Sequence, residues 1–94
     1  MNKQMIKEIV IDLTLEELAN EIEQLIGNGN FELVYDERYN SIIMYSNFEN
    51  VEKVAKALDR DVFFNEYDGY FVYVKDFHEM NEIFEMNGLG MVGE

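Results

Sequence analysis

The chain has no cysteine, no proline and no tryptophan, and a single histidine among its 94 residues. Without cysteine there is no disulfide, no thiolate metal site and no cysteine nucleophile, so packing alone has to supply stability. Without proline, nothing rigid interrupts the elements. Basic residues are also scarce: seven Lys and Arg stand against 20 Asp and Glu, giving a formal charge of -13 and a pI near 4.2. Affinity for nucleic acid comes largely from cations that neutralise phosphates, so direct binding to nucleic acid is not expected, and an anionic membrane is disfavoured on the same ground. No apolar run reaches the roughly 20 residues a membrane span needs, and the first residues lead into no signal-peptide core. A cytoplasmic protein is expected.

What is present argues for a folded chain. Hydrophobic residues make up 48% and aromatics 14%, with seven Phe and six Tyr, far above what a disordered acidic tail carries. The length suits one domain over residues 1–94 with one core.

Hydrophobic spacing sets out the elements. Residues 5–12 contain Ile9-Val10-Ile11, which suits a strand, although Met5, Ile6, Ile9 and Val10 also share one helical face; the expectation is a strand. Thr14 with Glu17 forms a capping-box pattern, and Leu15, Leu18, Ala19, Ile22, Leu25 and Ile26 recur at helical spacing until Gly27-Asn28-Gly29-Asn30. Residues 31–36 and 41–45 are β-rich runs around residues 37–40, a hairpin pattern. Asn47 can cap a second helix with Val51, Val54, Ala55 and Leu58 on one stripe and Glu49, Glu52, Lys53 and Lys56 opposite. Residues 62–65 and 70–75 suggest a second hairpin around Tyr67-Asp68-Gly69, where Asp-Gly is a two-residue turn signal. Asp76 and Glu79 open a third helix whose stripe is Phe77, Met80, Ile83 and Phe84, stopped by Asn87-Gly88. Residues 89–94 are expected to fray.

The reading is α+β: a small antiparallel sheet of four to five strands with two to three helices packed on one face, in the order β-α-β-β-α-β-β-α. The later part repeats a hairpin-then-helix unit, in which Tyr45 answers to Tyr73 and Phe48 to Phe77, the offset moving from 28 to 29 residues. Four strands and two helices follow from the spacing whether or not the repeat is a duplication.

No group of residues carries recognisable chemistry. Gly88-Leu89-Gly90-Met91-Val92-Gly93 spells G-x-G-x-x-G, but a dinucleotide fingerprint follows a strand and opens a helix, whereas this one follows a helix. His78 stands alone in the first turn of the third helix, and Ser41 and Ser46 lie in no triad or elbow context. Carboxylates are plentiful, yet paired catalytic acids need a cleft that a short chain without long loops has little room to form. The expectation is a binding protein that is not an enzyme and holds no cofactor or metal ion.

Charge placement is the informative feature. From Glu8 to Glu37 there are nine acidic residues and no basic one, and from Asp76 to Glu94 five more, again with none. A helix kept soluble for its own sake interleaves Lys with Glu, because i,i+4 pairs stabilise it and like charges repel. The second helix does so. The first exposes Glu16, Glu17, Glu21 and Glu23 uncompensated, and the third Glu79, Glu82 and Glu85. Such a surface can imitate a phosphate array and occupy a basic channel. Anchors would come from aromatics at hairpin tips and edges, Tyr35, Tyr39, Tyr67 and Tyr70, whereas Tyr45 and Tyr73 suit packing on the sheet. The expected partner-binding set is Glu16, Glu17, Glu21, Glu23, Asp36, Glu37, Tyr39, Tyr67, Asp68, Glu79 and Glu82.

In size, acidity and lack of catalytic groups the chain resembles the small inhibitors that phages and mobile elements direct at host nucleases, including anti-restriction and anti-CRISPR proteins. That compositional resemblance implies a basic, nucleic-acid-handling partner. The alternative expectation is a structural or regulatory module that self-associates as a homodimer through strand edges or the Tyr-rich hairpins.

Overall fold

The computed structural model of the chain describes residues 2–90. Buried residues four apart dominate its N-terminal part: Val10, Leu18, Ile22 and Ile26, with Thr14 the one polar member, are the buried positions of one uninterrupted helix, α1 (Lys3–Ile26). A strand would also set residues four apart on one face but would bury Asp12, Glu16, Asn20 and Gln24 with them, and these are exposed, as a helix requires. Residues 5–12 are therefore helical and not a strand, because burial of Val10 in register with Leu18 and Ile22 outweighs the β preference of Ile-Val-Ile. Thr14 is no cap either. Its hydroxyl donates to the Val10 carbonyl at 2.7 Å inside the helix, and the cap is Asn2, whose side chain accepts the Met5 N–H. Gly27, at φ 77, takes the left-handed conformation that closes α1.

The remaining elements are β1 (Phe31–Asp36), β2 (Ser41–Ser46), α2 (Phe48–Leu58), β3 (Phe63–Asn65), β4 (Gly69–Lys75) and α3 (Phe77–Met86). Asn47 caps α2, and Asp76 with Glu79 forms the reciprocal capping box of α3. The four strands make one antiparallel sheet in the order β1-β2-β4-β3. The second hairpin turns through residues 66–68, with Asn65 paired to Gly69 and Gly69 at φ 82. It is a three-residue loop ending on a left-handed glycine, in place of the two-residue Asp-Gly turn. Asn65 fixes it by accepting the N–H groups of Tyr67 and Asp68.

The repeated hairpin-helix units are related in space. Tyr45 pairs with Phe71, Ile43 with Tyr73 and Met44 with Val72, so moving each residue on by 28 positions exchanges the first two pairs and maps the third on itself. A local twofold axis therefore passes between Met44 and Val72. The offset grows to 29 at a β-bulge, where Tyr73 opposes Ile43 but Lys75 opposes Ile42: the extra residue in β4 is the extra residue of the second unit.

One core joins all three helices to one face of the sheet. Val10, Leu18, Ile22 and Ile26 of α1, Val51, Val54 and Ala55 of α2, and Met80 and Phe84 of α3 enclose Ile42, Met44, Val72 and Val74, with Leu33 at the margin. Alternation along the strands sends Val34, Ile43, Tyr45, Phe63, Phe71 and Tyr73 to the opposite face, which no helix covers among the described residues. At the other end of the chain Leu89 does not fray: its N–H donates to the Phe84 carbonyl and its side chain packs on the core, a C-terminal cap built with Gly88. Residues 91–94 lie outside the described residues, and with them half of the glycine motif.

Candidate protein interface

Six carboxylates project from α1: Glu8, Asp12, Glu16, Glu17, Glu21 and Glu23. Among the described residues none is in an ion pair. The pairs present are Arg38 with Asp36 at 3.8 Å, Lys56 with Glu52 at 3.6 Å, and Arg60 with Glu79. The helix also has no acidic residue in its first turn and no basic one in its last, so its charge runs against its dipole. Glu16 and Glu23, one heptad apart, share the exposed side of α1. Glu17 and Glu21, also exposed, border a groove of about 380 Å³ between α1 and α3, lined further by Leu13, Ile83, Met86 and Lys75. Leu13 is 55% and Met86 85% exposed, so the groove sets apolar side chains beside carboxylates.

Helix α3 contributes less acid than its sequence suggests. Glu82 and Glu85 are exposed around Met86. Glu79 is not free: it accepts the Asp76 N–H and bonds Arg60, whose other guanidinium nitrogen donates to the Tyr73 carbonyl at 2.8 Å. Glu79 thus ties α3 to the loop before β3, and an uncompensated third helix holds only at Glu82 and Glu85.

The hairpin residues do not gather into one patch. With Ile42 opposite Lys75 at one end of the central pair and Ser46 opposite Tyr70 at the other, Asp36, Glu37 and Tyr39 lie at one end of the sheet and Tyr67 and Asp68 at the far end. Asp36 accepts the Arg38 N–H at 3.0 Å and shapes its turn. Tyr39 and Tyr67 are exposed, at 57% and 88%. Tyr35 and Tyr70 are engaged. The Tyr35 hydroxyl donates to Asn40, whose amide donates to Asn81 at 3.0 Å; burial, followed by Glu37 and Asp36, pushes its phenol pKa above the ordinary 10.0. Tyr70 packs against Phe48 and Phe64, with ring centres 5.2 and 4.9 Å away.

Two surfaces were missed from spacing alone. Leu13 and Met86 fell outside the apolar stripes read from the sequence, and the strand-for-helix assignment at residues 5–12 hid that Met5, Ile9 and Leu13, four residues apart, stay 49, 45 and 55% exposed on α1. The helix-free sheet face announces itself in β2 and β4, whose SIIMYS and GYFVYVK are apolar at consecutive positions.

Among the described residues no three His, Cys, Asp or Glu side chains converge as a metal site, His78 is exposed with its ring edge-on to Phe77, and no helix is long and apolar enough to cross a membrane. Comparison with known protein families, curated proteins and solved structures gives no match to this chain.

Proposed function

We propose that the chain is a small acidic binding protein that inhibits a nucleic-acid-handling protein by occupying its basic site, with the exposed side of α1 as the contact. The supporting observation is that none of the six α1 carboxylates is in an ion pair among the described residues, while α2 and α3 each pair one, Glu52 and Glu79. Unpaired carboxylates along a rigid helix offer a cationic cleft a line of negative charge that steers association and competes with phosphates. The groove beside Glu17 and Glu21 supplies what charge lacks: Leu13 and Met86 are apolar anchors at the rim of the acidic surface. This groove takes over the anchoring role expected of the tyrosines, of which only Tyr39 and Tyr67 stay more than half exposed, at opposite ends of the sheet and with the Arg38 guanidinium over the Tyr39 ring. Glu17 and Glu21 are solvent-exposed, which suits recognition better than acid-base catalysis.

The test is competition. Immobilised protein is challenged with the heparin-retained fraction of a bacterial lysate, and captured proteins are eluted with double-stranded DNA or RNA. The proposal expects a nucleic-acid-binding protein that nucleic acid displaces and that salt releases steeply. Capture of proteins indifferent to both nucleic acid and salt would overturn it.

A further inference from the structure

Strands β2 and β4 are apolar on both faces, yet the helices cover one. In an antiparallel sheet with a wet face, outward positions are normally polar, and a two-sided apolar run belongs to a strand covered on both sides. Here the uncovered face carries four mutually packed rings. Phe63 stacks on Phe71 at 5.5 Å, Tyr73 stands edge-on to both at 5.6 and 6.0 Å, and Tyr45 lies 5.6 Å from Phe71. Phe63 is 44% exposed at the sheet edge.

The border of this platform is acidic. Glu32 is the cross-strand partner of Tyr45 and Asp36 that of Ser41, and alternation along β1 sets both carboxylates on the uncovered face with Val34; the Tyr45 phenol is pushed up by burial and then by Asp68, Asp36, Tyr73 and Glu32. Arg38 offsets Asp36; Glu32 and Asp68 have no ion pair among the described residues.

We propose that this face is a second interface, separate from α1, and that it takes an arginine-bearing segment of a basic protein. Charge complementarity selects the occupant. A second copy would set Glu32, Asp36 and Asp68 against their own kind. Bases could stack on the rings, but their phosphates would meet the same carboxylates. An apolar partner would strip water from the carboxylates and return nothing. A guanidinium answers both features, stacking flat on aromatic rings while donating to carboxylates at the rim. The chain makes this contact once within itself: the Arg38 guanidinium sits 5.5 Å from the Tyr39 ring and 3.8 Å from the Asp36 carboxylate.

The experiment is a titration of the full chain with a synthetic Arg-Gly-Gly repeat peptide, followed by amide NMR, beside a Lys-Gly-Gly peptide of equal charge. Expected are shift changes centred on β2, β3 and β4, weaker binding of the lysine peptide, and a loss of about three- to tenfold for Phe63→Ala and for Glu32→Gln. Glu32 is exposed and Phe63 lies half-exposed at the sheet edge, and the amide spectrum of each free variant checks that its fold is kept before titration. Binding that persists when Glu16, Glu17, Glu21 and Glu23 are all changed to Gln separates this surface from α1. Shifts confined to α1, equal binding of the two peptides, or no binding would overturn the proposal, and concentration-dependent self-association mapped to the same amides would replace it with a second copy.

Discussion

Helices α1 and α2 lie against the same sheet and solve their electrostatics in opposite ways. In α2, Glu49 sits in the first turn and Lys56 in the last, and Glu52 pairs with Lys56 four residues on; each of these favours the helix by a few tenths of a kcal/mol. In α1 neither end is complemented, and Glu21 and Glu23 stand near the C-terminus, where the dipole repels them. The difference teaches that a helix of this fold can be wettable without self-repulsion, as α2 is, and it is this contrast that motivates the proposal for α1. The α1 pattern works against the helix and is held in place by the packing beneath it.

If packing carries α1, the largest effect belongs to its buried stripe. Ile22, at 4% exposure, changed to Ala should cost about 2–4 kcal/mol in chemical denaturation, whereas Leu58→Ala, at 41% exposure in α2, should cost well under about 1 kcal/mol. A small loss at Ile22 would remove the packing half of the comparison.

Next comes the acid that the structure takes out of the interface. Glu79→Gln removes the charge that pairs Arg60 while its amide oxygen can keep the capping box, and should cost about 1 kcal/mol, while Glu82→Gln stays within about 0.5 kcal/mol. Equal effects would return Glu79 to the exposed set.

The sharpest contrast is smaller in energy. Glu21→Lys with Glu23→Lys places cations in the last turns of α1 and should raise stability by about 0.5–1 kcal/mol while weakening partner binding. Glu52→Lys in α2 sets a like charge four residues from Lys56 and should lower stability by about 0.3–0.5 kcal/mol. The smallest effect is in alkali. Tyr35 and Tyr45 ionise later in the folded chain than at the ordinary 10.0, so the folded state holds more protons than the unfolded state above that pH. Stability should be intact below pH 10 and fall as pH rises through the folded values, with ultraviolet titration reading the two late phenols.

Much of the molecule was legible in its residues. Asn47 and Asp76 with Glu79 state their caps locally, and the stripes of α2 and α3 are buried at Val51, Val54, Ala55, Met80 and Phe84 but not at Leu58 and Phe77, each 41% exposed at a helix end where the core no longer reaches; both hairpins follow from β-rich runs around turn residues. The step from 28 to 29 in the repeat was a β-bulge in plain view. Residues 5–12 were misread because Ile-Val-Ile satisfies two periods at once, and only contact with the core chooses between them. The site was less legible for the same reason. Carboxylate positions along α1 can be read from spacing, but whether a carboxylate has a cation beside it depends on residues distant in sequence: Arg60 reaches Glu79 across 19 positions, whereas among the described residues Glu21 is in no ion pair although Lys75 lines the same groove. The aromatic face needed the structure too, since two-sided apolar strands show that cover is wanted and not which side the helices take.

The central claim is that the placement of charge on α1, and not its total, makes the interface. It is tested by comparing two variants of equal net charge in the capture assay: Glu16, Glu17, Glu21 and Glu23 changed to Gln, against Glu49, Glu52 and Glu66 changed to Gln together with Asp61→Asn. The account predicts that the first loses the nucleic-acid-displaceable partner and the second keeps it. Equal loss in both, or loss in the second alone, would contradict it.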